Sequence, residues 1–102
     1  MSETYDLVKR AIIEKLQVIA AYDGCQREMC PHVIGTKYGR EQCLFFQFAG
    51  KSRSGLPAGG QWRCIPIAGL SNVSVRAGEW HTGLEHTQAQ TCVDCIDTEV
   101  AH

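Results

Sequence analysis

Cationic and flat aromatic side chains gather in the middle of the sequence: Tyr22, Arg27, His32, Phe46, Gln47, Lys51, Arg53, Trp62 and Arg63. Guanidinium groups fork onto phosphates and carboxylates, and ring faces accept a stacked base. Small β-barrels build single-strand and anion surfaces from such a set. Aromatics also fill small cores, and in that case the charges form a scattered rim. The expected ligand-binding residues are Tyr22, Arg27, His32, Gln47, Lys51, Arg53 and Arg63. The Gly-, Ser- and Pro-containing stretch 52–60 between them can act as a closing loop or as a plain connector.

Other chemistries have weaker spacing. Cys25, Cys30 and His32, joined by the pair Cys92 and Cys95, offer thiolates and imidazole for zinc, with His81 and His86 in reserve. The first interval is wider than in a zinc knuckle, and free cysteine commonly packs as a small apolar residue. Cys92-Val-Asp-Cys95 also has the spacing of a thiol couple, but its extended, acidic flanks would raise a thiol pKa rather than lower it. Trp80-His81 and Glu85-His86 suggest an exposed polar tail. No Ser or Cys, Ser54-Gly55 included, has a nucleophile setting such as G-x-S-x-G. The sequence therefore points away from an enzyme and implies no cofactor.

The net charge of −1 hides an asymmetry. Residues 26–63 hold six Lys/Arg against two Asp/Glu, a net +4, whereas residues 64–102 hold one against five, a net −4. A basic middle favours an anionic partner there, and solvated charges on separate faces are the plainer reading. The charged start MSETYDLVKR has no apolar core, and no run approaches the roughly 18 apolar residues of a membrane span. Six cysteines without a secretory signal predict free thiols in a reducing compartment, hence a cytoplasmic protein with no membrane partner.

The elements that must position these residues follow in order. A chain of 102 residues is one domain, 1–102. Tyr5, Val8, Ile12 and Leu16 recur at helical steps and predict a helix over about 3–16, with Ser2 as N-cap. Residues 18–22 form a first strand, and Asp23-Gly24 turns it into a second. Pro31 marks an edge or a bulge in that second strand. The Tyr38-Gly39 turn leads to a third, 42–49, holding the apolar run Cys43-Leu44-Phe45-Phe46-Gln47-Phe48. Strands at 62–67 and 70–77, joined by a corner at Pro66–Gly69, complete a β-core of about 18–77. Residues 78–102 are a C-terminal extension whose alternating segment 92–100 makes a sixth, edge strand. The fold class is mainly β with an N-terminal α-helix: a small SH3/Sm-like barrel or a strongly bent antiparallel sheet.

In order and spacing, residues 8–76 resemble the WYL domain of bacterial regulators. The resemblance is carried by Ala11-Ile12, Ala21-Tyr22-Asp23-Gly24, Arg27, Pro31-His32, Gly39, Leu44-Phe45 and Trp62-Arg63-Cys64-Ile65. Gln42-Cys43-Leu44 stands where the family has its Trp-Tyr-Leu triplet. Pro66, Ala68 and Gly69 occupy much of a closing segment that is richer in arginine in the family. The resemblance implies an Sm-like fold that senses a ligand in transcription regulation, in several cases a nucleotide or single-stranded nucleic acid. It favours site roles for His32 and Arg63. The expected function is thus a non-enzymatic, stand-alone ligand-sensing module for a small anionic ligand, nucleotide or single strand. The alternative is a module that docks to a protein or to a second copy, as a homodimer, through the edge at Pro31 or at Cys92–Val100. A zinc-stabilised module comes third.

Overall fold

Two dipeptides fold the central chain into a meander. Asp23-Gly24 and Tyr38-Gly39 all have positive φ, between 51° and 78°, as two-residue type I′ hairpin turns require. They connect β1 (Gln17–Tyr22), β2 (Cys25–Lys37) and β3 (Arg40–Gly50). The computed structural model describes residues 3–51, 55–56, 59–82 and 91–101; Ser2, Arg53, Ser54, Glu85 and His86 lie outside them. Strand β4 (Gln61–Pro66) pairs with β3, a 3₁₀ turn (Ile67–Gly69) follows, and β5 (Ser71–Arg76) returns to pair with β1. The order β4-β3-β2-β1-β5 makes one antiparallel sheet, with no pairing between its end strands among the described residues. The fold is therefore a strongly bent sheet with an N-terminal helix and not a closed barrel.

Among the described residues, strand β6 (Cys95–Glu99) pairs with β2 alone. Along one edge β2 is shared: Cys25–Met29 pair with β1, and Val33–Thr36 pair with β6. Pro31 falls in the interval between them, beside a register shift against β3. A residue without an N–H fits where the ladder is already interrupted. Gly35 lets β6 approach: a Cβ there would lie 2.0 Å from the Cys95 carbonyl oxygen and 2.6 Å from Val93 Cγ1. Within the C-terminal extension, Cys95–Glu99 supply the expected sixth strand to the same sheet, and Val100 joins the main core.

Helix α1 (Glu3–Glu14) ends where Lys15 enters the left-handed region at φ 54°. There the Leu16 N–H bonds the Ala11 carbonyl at 2.8 Å, a terminus of Schellman type. The helix lays Tyr5, Val8, Ala11 and Ile12 on Val18, Ala20, Met29, Ile34, Cys43, Phe45 and Ile65, forming the main core. The opposite sheet face has a smaller core of Val33, Cys92 and Val93, with Leu44 against it. Among the described residues no helix is long and apolar enough to cross a membrane.

Polar contacts to Asp97 join the helix to β6. The buried Tyr5 hydroxyl donates to Asp97 Oδ2 at 2.6 Å, and Lys9 Nζ lies 3.2 Å from Asp97 Oδ1. The Tyr5 bond, then Lys9, hold the Asp97 carboxyl below its ordinary range, while burial and then Asp97 push the Tyr5 phenol upward. Asp97 therefore contributes stability above its unfolded pKa near ~4, lost as pH falls through the lower folded value. Tyr5 contributes below the phenol's ordinary ~10, lost as pH rises beyond it. Tyr5→Phe should cost about 1–2 kcal/mol in urea unfolding at neutral pH. It should also flatten both the acid and the alkaline decline of stability; a variant whose pH profile matches wild type would show that the contact does not form.

Candidate functional site

Register decides which site candidates meet. Arg27 sits opposite Ala20, Gln47 opposite Met29, and Arg63 opposite Phe45. Each opposing residue belongs to the main core, so all three polar side chains project from the helix-bearing face. Gly50 closes the corner at φ +93°, and a Cβ there would lie 2.8 Å from Arg27 Cα, so the β2–β3 backbones pack closely under the arginine.

Arg27 is 5% exposed and Gln47 is fully buried. Arg27 Nη1 donates to Gln47 Oε1 at 3.2 Å, and its guanidinium carbon lies 5.1 Å from the centre of the Tyr22 ring. The Gln47 amide donates in turn to the Ala49 and Lys51 carbonyls at 3.2 and 3.1 Å. Lys51 thus enters this cluster through its backbone, and the residue itself is exposed. Arg27 Nε has no hydrogen-bond partner, and no carboxylate reaches ion-pair distance of Arg27 among the described residues. The adjacent Glu28 is paired with Arg76 instead. Arg63 Nη2 donates to the Gly55 carbonyl at 3.2 Å. Its pKa is lowered by burial first and by the Arg27 charge second, which places two like charges in one partly desolvated neighbourhood.

His32 is elsewhere, and the expectation that it shares a groove with Arg63 is corrected. Its ring is fully buried, 4.7 Å from the Trp62 ring and 4.9 Å from the Trp80 ring. Trp62 precedes Arg63 in β4, so the two side chains leave opposite faces of the sheet. One His32 ring nitrogen meets the Cys30 carbonyl oxygen at 2.8 Å and the other the Thr82 hydroxyl at 3.1 Å. Phe46 lies edge-on to Trp62 at 5.2 Å, and Phe48 stacks on His81 at 4.1 Å. The fragment Trp80–Thr82 is therefore a cover over His32 rather than an exposed polar tail. A tryptophan is rarely left fully in water, and that was the available sequence signal.

The cysteine expectations are also corrected. Cys64 and Cys92 form a disulfide with Cα atoms 5.6 Å apart, so not all thiols are free and Cys92-x-x-Cys95 is not a thiol couple. Cys25, Cys30, Cys43 and Cys95 are free. Cys30 is buried, accepts the His81 N–H at 3.3 Å, and has its thiol pKa raised by desolvation. Among the described residues no three His, Cys, Asp or Glu side chains gather to hold a metal ion, so the proposed zinc set does not assemble.

No family model, curated protein or solved structure matches the chain.

The support for Arg27 can be measured directly. Gln47→Ala removes its only hydrogen-bond acceptor among the described residues and two bonds that tie down the start of the following loop. Denaturant unfolding should show a loss of about 2–4 kcal/mol. A loss within 0.5 kcal/mol, the usual range for an unimportant surface site, would mean that Gln47 does not hold the arginine.

Proposed function

We propose that the chain is a non-enzymatic ligand-sensing module that takes a small anionic ligand at Arg27 and Arg63. One observation carries the reading: Arg27 is a buried guanidinium whose partners are a neutral amide and a ring, with a second arginine close enough to oppose it. An uncompensated buried charge costs several kcal/mol, which a single hydrogen bond of about 1–3 kcal/mol does not offset. An anion between the two guanidinium groups would relieve both the desolvation and the repulsion. Planar forked donors favour phosphate or carboxylate.

Tyr22 beneath Arg27, the Lys51 charge and the basic balance of residues 26–63 support a nucleotide or a short single strand as the ligand class. The strand order and the N-terminal helix support a WYL-like regulatory role. The absent Trp-Tyr-Leu triplet and the Pro66–Gly69 turn in place of further arginines favour a ligand with few phosphates. A cytoplasmic location belongs to the same proposed reading.

A second reading is favoured by one feature of β6. That strand pairs only with β2 among the described residues, and it presents an exposed Cys95 and a half-exposed Ile96. An unpaired edge of this kind suits strand addition from a second copy or another protein. Light scattering that finds a monomer at every concentration argues against self-assembly and leaves the anion reading intact.

The decisive experiment is ligand-induced thermal stabilisation at low salt with AMP, ATP and a short oligothymidylate. At a hundredfold excess over Kd, a ligand should add about 2.7 kcal/mol of stability. Arg27→Gln and Arg63→Gln should each abolish that gain, and Arg27→Gln should be no less stable than wild type without ligand, because a buried charge has been removed. Added salt should weaken binding in proportion to the phosphates contacted. If no anion stabilises the wild type, the reading fails.

A further inference from the structure

We propose that the Cys64–Cys92 disulfide is a redox latch that controls the anion site by fixing β4, a regulatory reading that rests on the site assignment above. Among the described residues, strand β4 is hydrogen-bonded only to β3, as an end strand of the sheet. Its successive residues Trp62, Arg63 and Cys64 alternate between faces. Arg63 faces the Arg27 cluster, while Trp62 and Cys64 face the second layer, so whatever holds Cys64 also sets the position of Arg63.

On the other side of the bond, Cys92 is buried with Val93 against Val33 and Leu44. Its segment is fixed to the sheet by three further contacts. Lys37 Nζ donates to the Thr91 carbonyl, Gln42 Nε2 to the Cys92 carbonyl at 2.8 Å, and the Asp94 N–H to the Thr36 carbonyl at 3.0 Å. The disulfide therefore ties an end strand of the sheet to a segment anchored on β2 and β3. Its removal releases β4 on one side and leaves the anchor in place.

The bond is also placed for exchange. Cys64 is exposed and Cys92 buried, so a low-molecular-weight thiol meets the Cys64 sulfur first. The reductant's thiolate forms a mixed disulfide with Cys64, and Cys92 leaves as thiolate and takes a proton. A second thiol then attacks the reductant's sulfur, which frees Cys64 and gives one oxidised reductant and two protein thiols. Disulfides in reducing compartments are usually transient and redox-sensing, which reconciles this bond with a cysteine-rich chain of the predicted cytoplasmic type.

The test compares the oxidised full chain, the same protein reduced with glutathione, and Cys64→Ser. Mass mapping of the oxidised chain should join Cys64 to Cys92, and any other partner for either overturns the proposal. Reduction and Cys64→Ser should each speed amide hydrogen exchange across Gln61–Pro66, leave Cys25–Met29 unchanged, and alter emission from Trp62 and Trp80. They should also weaken ATP binding about tenfold, within the usual range of allosteric coupling. Unchanged exchange over β4, or a bond that resists glutathione in the folded state, overturns the latch. If ATP binds no state while β4 still loosens on reduction, the latch stands and the anion assignment is what has failed. If ATP binds all three forms equally, control of the site by the latch is overturned.

Discussion

The shared edge of β2 is the constraint on which the rest of the molecule depends. A thirteen-residue strand has two edges to satisfy, and β3 takes one of them almost whole. The other edge is divided between β1 and β6, strands that lie more than seventy residues apart in sequence, with Pro31 at the division. This arrangement brings the C-terminal segment beneath α1 beside the first strand, where Tyr5 and Asp97 join. It also delivers Val93 and Cys92 to the second face. Without the pairing of β6 on β2, both cores would lose a wall.

Within that frame the polar interior is placed with unequal support. His32 has partners for both ring nitrogens and aromatic rings on two sides, so its burial is accounted for by hydrogen bonds and packing. Arg27 is buried nearly as deeply with far less compensation. A neutral acceptor and a ring together supply a few kcal/mol at most, against a desolvation cost of several for a charge. The imbalance separates a residue that completes a core from one whose buried charge is left largely uncompensated among the described residues.

Much of the scaffold was legible from local chemistry. The helix followed from its apolar period, both hairpins from their turn dipeptides, and Pro31 from its missing N–H. The cluster of Arg27, Gln47 and Arg63 was legible only as a set of residue types, because it depends on cross-strand register. The mistaken union of His32 with Arg63 has a simple origin. Arg27 and His32 are an odd number of residues apart on one strand and so face opposite ways, but treating Pro31 as a break discarded that parity. The bulge then puts Val33 on the same side as His32 before Ile34 returns to the main core. The disulfide was beyond reach of the sequence: six cysteines admit many pairings, and composition favoured none.

Edge strand β4 gives the two faces a physical connection. Alternation assigns Arg63 to the electrostatic cluster and its neighbours Trp62 and Cys64 to the aromatic and disulfide layer. Because Trp62, Arg63 and Cys64 are consecutive residues of β4, a shift of this strand moves all three. Strands in the centre of this sheet are held on both edges and resist such displacement. β4 is held on one edge by hydrogen bonds and on its outer face by a covalent bond, so its freedom depends on chemistry rather than on packing alone. If the disulfide side changes, β4 is the strand that would carry the change to Arg63, against the anchorage of its own Ile65 in the main core.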